Sequence, residues 1–119
     1  MKPISKNDRL VANAKSAGFV PWIDRDGTDS GTSTLQLNRE RPAGTGFFLY
    51  KMAAGTASEA HEHNGDEEFY VIEGDLTDND GTTYHAGDLV LLKSGTQHYS
   101  TTQNGCLLAV YIPEMETSL

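Results

Sequence analysis

Hydrophobic positions along this chain recur in short alternating runs, not in long helical stripes. From Thr32 onward, stretches of apolar, aromatic and β-branched residues are separated by clusters of glycine, asparagine and aspartate, the signature of a sandwich or barrel. The pattern predicts strands over Thr32–Leu37, Gly46–Met52, Glu67–Glu73, Asp75–Thr77, Thr82–Tyr84, Asp88–Leu92, Gln97–Thr102 and Cys106–Ile112. Asp80-Gly81 and Asn104-Gly105 predict type I′ hairpins, whose central residues both need positive φ. The second hairpin would lay the strand carrying His98 beside the one ending at Tyr111. Upstream, Phe19–Ile23 reads as an edge strand, because Pro21 cannot donate to a ladder, and Asp24–Gly31 as a polar loop. A helical period occurs only near the start. There Asn7 or Asp8 can cap a short helix reaching Ala17, with Leu10, Val11, Ala14 and Ala17 on one face and Gly18 as its stop. This helix is expected to pack on the outside of an otherwise all-β, antiparallel domain. The tail Pro113–Leu119 reads as a loose or interface-seeking end.

At 119 residues the chain is expected to form a single domain, 1–119, with its barrel core over about residues 32–112. A net charge of −8 would repel nucleic-acid phosphates and anionic headgroups, so neither nucleic acid nor membrane is expected as a partner. No apolar run approaches the ~18 residues of a membrane span, and the start carries no apolar leader segment, so the expected location is cytoplasmic. Cys106, the sole cysteine, sits in the run Cys106–Ile112 and is expected to be a buried small hydrophobe. Asp24-Arg25-Asp26 invites a calcium-loop reading, but the loop glycine position falls on Asp29 and the closing acid position on Leu35, so an EF-hand is rejected.

Three of the four histidines fall in one spaced pattern: His61-Glu62-His63-Asn64-Gly65-Asp66-Glu67, then His98. Residues two apart on a strand share a face, so His61 and His63 point the same way. A turn through Asn64-Gly65-Asp66 would bring Glu67, at the start of the next strand, beside the imidazoles. Imidazole nitrogens with one carboxylate suit Zn, Fe, Mn, Ni or Cu, and the absence of thiolate argues against a closed structural zinc. Parity sends Glu62 and Glu68 outward, and His85 lies off the pattern. The same parity nominates Phe69 and Val71, with Thr96, Ser100 and Thr102, as inward residues. Phe69, Val71, Ser100 and Thr102 are the candidate pocket lining, with plain core packing the favoured reading for Phe69 and Val71.

Glycines frame the histidines at fixed distances. Gly55, five residues, His61-x-His63, three residues, Glu67, six residues, Gly74 resembles the first motif of the cupin superfamily at every defined position. Gly87, five residues, Lys93-Ser94-Gly95-Thr96-Gln97-His98 and then Thr102 resembles the second motif, with Lys93 where the family usually has proline and Thr102 where it has asparagine. The resemblance, over about residues 44–112, implies a double-stranded β-helix, or jelly-roll barrel, with His61, His63, Glu67 and His98 as ligands of one divalent transition metal. The run Asp66–Asp78 with Asp80–Tyr84 and Ala86–Asp88 is similar to the cupin branch holding ChrR-type anti-sigma domains and acetylacetone-cleaving dioxygenases.

Two functions follow from that branch. One is a metal-dependent dioxygenase on a small oxygenated substrate such as a β-diketone, with Glu67 as fourth ligand or general base. The other is a non-catalytic, metal- or ligand-sensing regulator of the anti-sigma type. The anti-sigma proteins join their cupin to a zinc-binding helical domain that has no counterpart in this sequence, which places the regulatory reading second. An isomerase or cyclase using the metal as Lewis acid fits the same ligands. The apolar edge strand Phe19–Ile23 gives the barrel reason to pair as a homodimer.

Overall fold

The computed structural model describes all 119 residues. It is an antiparallel β-barrel of eleven strands: β1 (Val20–Ile23), β2 (Asp29–Leu35), β3 (Gly46–Met52), β4 (His61–Glu62), β5 (Glu67–Asp78), β6 (Thr83–His85), β7 (Leu89–Leu92), β8 (Gln97–His98), β9 (Ser100–Thr101), β10 (Cys106–Ile112) and β11 (Thr117–Ser118). The larger sheet runs β1-β2-β3-β10-β5-β6, with β7 and β9 also paired to β5, and a smaller sheet runs β11-β4-β8. This is the cupin-type barrel that the resemblance to the family's two motifs implies. No helix is long and apolar enough to cross a membrane.

The central strand β5 joins the two expected strands Glu67–Glu73 and Asp75–Thr77 into one. Across from β10, Leu107 pairs with Glu73 but Leu108 with Val71, so Ile72 is left without a partner. This bulge shifts the alternation by one: Glu67, Phe69 and Val71 point inward before it, Leu76 and Asp78 after it. Gly74 makes the passage at φ 86°, where a β-carbon would run into the Gly105 carbonyl oxygen and come within 2.7 Å of the Cys106 α-carbon. Gly74→Ala is therefore expected to destabilise the fold by roughly 3 kcal/mol or more, through positive φ and steric overlap together, measurable as a lowered urea midpoint. The inward residues Phe48, Met52, Phe69, Val71, Leu76, Cys106, Leu108, Val110 and Ile112 form one buried cluster. Burial pushes the Cys106 thiol up to about 11, as suits an inert core cysteine.

Three local expectations are corrected. The helix over Asn7–Ala17 does not form; there is only a 3₁₀ turn at Lys6–Asp8, whose Ser5 nitrogen and hydroxyl donate to the Asp8 carboxylate, and a separate turn at Asn13–Ala17. Leu10 and Val11 remain 71% and 82% exposed, and a helix this short is marginal without a buried face. Neither hairpin turn is type I′, because no residue other than glycine has positive φ. Asp78-Asn79-Asp80-Gly81 instead closes with the Gly81 amide donating to the Asp78 carbonyl at 2.8 Å, Gly81 alone taking the left-handed conformation. At the second site the Asp75 carboxylate accepts from the amides of Gln103 and Asn104 and from the Asn104 side chain, drawing that loop toward β5. Consequently β10 pairs with β3 and β5, while β8, carrying His98, pairs with β4. Nor is the tail loose: β11 is the outer strand of the small sheet, Thr117 opposite Glu62 and Ser118 opposite His61.

Candidate metal centre

The small sheet brings the histidines together. His61 on β4 lies directly across from His98 on β8, and the ladder continues past the strand ends, the His63 amide donating to the Thr96 carbonyl at 2.9 Å and the Gly95 amide to the His63 carbonyl at 2.7 Å. Two residues of extended chain thus put His61 and His63 on one face, as period two requires. Their ring centroids and that of His98 lie 4.7–5.0 Å from one another. Glu67, the first residue of β5, completes the group, its Oε1 at 3.1 Å from His63 Nε2 and 3.9 Å from His98 Nε2.

Each ring is held by its other nitrogen. His61 Nδ1 faces the Glu59 carbonyl at 2.7 Å, which can only accept. His63 Nδ1 faces Thr96 Oγ1 at 2.8 Å, and that hydroxyl gives its own proton to the Lys93 carbonyl, so it also accepts. His98 Nδ1 faces the Asp78 carboxylate at 3.0 Å. All three partners demand a proton on Nδ1, which leaves the Nε2 lone pair of each neutral ring directed at a common point. There the His61 and His98 Nε2 atoms stand 3.1 Å apart, and His63 Nε2 is buried with no hydrogen-bond partner, although the Glu67 carboxylate lies beside it. Three ring nitrogens facing one another beside a carboxylate form a group that could hold a cation. The donor set of imidazole nitrogens and carboxylate oxygen fits a divalent transition metal.

The surroundings tune these groups. Burial, against the opposing bond to the Glu59 carbonyl and with help from His98, holds the His61 pKa below its ordinary value, which favours the neutral ligand form. For His98 burial acts downward, but the hydrogen bond and charge of Asp78 outweigh it and raise the value. Asp78 is itself 7% exposed and accepts from Tyr84 Oη and Ser100 Oγ, each at 2.6 Å, besides His98. Burial pulls its carboxyl upward; the bonds from His98, Ser100 and Tyr84 together hold it below the ordinary range.

A cavity of about 210 Å³ opens beside the imidazoles of His61 and His98, walled by Phe48, Met52, Phe69, Leu76, Leu108, Val110 and Ile112 with Trp22, Tyr50, Ser58 and Ser100. Of the nominated lining residues, Phe69 and Ser100 face this cavity. Val71 and Thr102 do not. Val71 has no exposed surface and lies in the packed core beyond Phe69, and the Thr102 hydroxyl is drawn away to donate to the Asp75 carbonyl at 2.7 Å. Glu62 accepts from Gln97 Nε2 on the outer side of the small sheet, and Glu68 and His85 are exposed. Two residues at the site escaped the sequence reading. Asp78 is one. The other is Glu116, brought in by β11, whose Oε2 lies 3.4 Å from His61 Nε2. Burial, and behind it the Glu67 carboxylate, push its carboxyl up to about 7.

Comparison with known proteins agrees with this architecture. Solved structures that resemble the chain include a putative acetylacetone dioxygenase from Methylibium petroleiphilum PM1 (TM-score 0.76, 15% identity, covering 97% of this chain and 83% of that one). The polyketide cyclase RemF from Streptomyces resistomycificus is similar as well (TM-score 0.71, 17% identity, covering 93% and 85%). So is a chain in the complex of Rhodobacter sphaeroides SigE with the anti-sigma ChrR (TM-score 0.62, 18% identity, 89% of this chain but only 51% of that one). At such identities these likenesses establish the fold alone. No curated protein matches the sequence. A family model described as the ChrR cupin-like domain matches residues 8–116, a span that takes in both histidine motifs, the bulged central strand and Glu116, and the chain therefore belongs to the ChrR cupin-like family.

Proposed function

We propose that this protein is a metal-dependent dioxygenase that cleaves a small β-diketone or a comparable oxygenated substrate, its site carried by a single domain over residues 1–119. The observation supporting this reading is the convergence of three imidazoles, with Glu67 beside His63, at the wall of a cavity lined by apolar and polar residues. His61, His63, Glu67 and His98 are the proposed ligands. A divalent ion held there, whether Fe, Mn, Ni, Zn or Cu, would supply Lewis acidity toward substrate oxygens and, if redox-active, reactivity toward dioxygen. The chain's own side chains do the rest. Phe48, Leu76, Val110 and Ile112 would pack on the hydrocarbon part of the substrate and exclude water, turning its oxygens toward the imidazoles. Glu67 would serve as the fourth ligand or, if displaced from the ion, as the base that takes the acidic proton from the carbon between two carbonyls, leaving an enolate for reaction with dioxygen. Protein loaded with Fe(II) under anaerobic conditions should consume oxygen when given a β-diketone. Absence of uptake with β-diketones, hydroxyacetophenones and flavonols alike, from fully loaded protein, would overturn the proposal.

The cavity volume bears on the alternatives. About 210 Å³ lies below the roughly 300–1,000 Å³ of sites for drug-sized ligands, which favours a small substrate over a large one. The regulatory reading draws support from the family match itself. Protein purified with zinc at full occupancy and no turnover would favour a sensing role over the enzyme. We further propose a homodimer. The edge strand β1 exposes Val20 and Ile23, and the outer face of the large sheet exposes Phe47, Tyr70, Leu89, Leu91 and Tyr111. Light scattering at micromolar concentration should report twice the chain mass of 12.9 kDa, and a clean monomer would refute it.

A further inference from the structure

Glu116 has no place in the four-ligand set, yet the fold brings it beside that set, in a group with His63 and Glu67 that overlaps the three-histidine group at His63. Its Oε2 lies 3.4 Å from His61 Nε2, and its carboxylate, His63 and Glu67 form a group whose ligand atoms all lie within 4.8 Å of one another. The segment around it is clipped on both sides to the stretch that carries the two histidines. Asn64 Nδ2 donates to the Met115 carbonyl at 2.7 Å and to Thr117 Oγ1 at 2.8 Å. Beyond it, β11 pairs with β4, and the Leu119 amide donates to the Ala60 carbonyl at 3.1 Å.

We infer that Glu116 is a fifth protein ligand of the metal centre, so that metal binding and the docking of the C-terminal strand on β4 are one coupled event. The inference rests on the metal-binding part of the proposed function and not on the reaction. Charge supports it. Three neutral imidazoles and Glu67 would leave a divalent ion with one uncompensated positive charge in an enclosed site, which is costly; a second carboxylate brings the sum to zero. Geometry supports it as well. β11 is two residues long and Thr117, Ser118 and Leu119 are exposed, so little burial holds the strand down. Without a cation Glu116 has only its contact with His61 Nε2 at 3.4 Å to hold it. With one, Glu116 is drawn to the centre it would share with His63 and Glu67, and the strand that also walls the cavity through Met115 and Ser118 is held by its ligand.

Zinc affinity measured by competition with a chromophoric chelator, together with hydrogen exchange of the 117–119 amides with and without zinc, tests the coupling. In the unaltered protein zinc should slow exchange of these amides. Glu116→Gln should weaken zinc binding by roughly tenfold or more and abolish the zinc-dependent slowing. Glu114→Gln, which removes the same charge from an exposed position on the same tail, should preserve both. Equal zinc affinity in Glu116→Gln, or a tail whose exchange ignores zinc in the unaltered protein, overturns the inference; the second measurement decides the matter even if the variant folds poorly. Zinc binding that depends on His63 but is indifferent to Glu116 refutes the fifth ligand alone. Failure of the unaltered protein to bind any divalent ion refutes it together with the metal reading.

Discussion

His61→Ala is expected to strip the protein of its metal and, in the presence of that metal, to lower the melting temperature by on the order of 15 °C. A ligand that binds only the folded state stabilises it by about 4 kcal/mol when present at a thousand times its dissociation constant. For a domain of this length each kcal/mol shifts the melting temperature by roughly 4 °C. His61 is the informative position because, apart from its Nε2, the only tie of its ring is Nδ1–H to the Glu59 carbonyl. In the metal-free protein its removal costs only that bond and the 3.1 Å contact of its Nε2 with that of His98, a modest loss. With chelator present, the melting temperatures of the variant and the unaltered protein should therefore converge to within a few degrees. Elemental analysis and calorimetry with and without chelator check both halves. Retained metal in the variant, or an equal loss of stability in chelator, would sink the assignment of His61 as a ligand. His98→Ala should lose metal in the same way but also destabilise the metal-free protein, because it removes a partner of the buried Asp78.

The ligand cluster was legible in the sequence because the features that build it are local. A spacing of two places His61 and His63 on one face, and the turn Asn64-Gly65-Asp66 returns the chain at Glu67 within a few residues. The strand boundaries at Gly46–Met52 and Cys106–Ile112 were legible for the same reason, since each is a run rich in apolar and aromatic residues that opens at or just after a glycine, the second closing at Pro113. Asp78 was hidden by a single residue. Alternation counted from Glu67 sends position 78 outward, and only the unpaired Ile72, whose place in the ladder depends on a register with β10 set far along the chain, turns it inward. Glu116 was hidden more completely, as no spacing rule links a carboxylate in a polar tail to a histidine on β4; the link is the pairing of β11 with β4. The turns mislead in a different way. Asp-Gly serves a type I′ turn and a type I turn closed by a left-handed glycine equally well, and the flanking register chooses between them. The N-terminal helix failed because its apolar stripe met no surface to cover.

Asp78→Asn carries the other large effect, on stability and its pH dependence in the metal-free protein. The carboxylate receives three donors, Tyr84 Oη, Ser100 Oγ and His98 Nδ1, in a position with almost no exposure. An amide replaces one accepting oxygen with a donor and leaves a buried donor pair facing each other, at a cost of about 3 kcal/mol. The pH profile identifies the cause. The folded pKa of Asp78 lies below its ordinary 3.8, so this carboxylate contributes stability that is present above 3.8 and lost as pH falls through the lower folded value. The folded pKa of His98 lies above its ordinary 6.5, burial opposing but Asp78 prevailing, so that contribution is full below 6.5 and lost as pH rises through the higher folded value. The metal-free protein should accordingly be most stable between these limits and lose stability on both sides. Asp78→Asn removes the titrating carboxylate and the negative charge that raises His98 together, so its stability should be lower throughout and flatter across both flanks. Urea denaturation at a series of pH values in chelator measures this directly. A variant destabilised by the same amount at every pH would show that Asp78 acts as a neutral hydrogen-bond acceptor and not through its charge on His98.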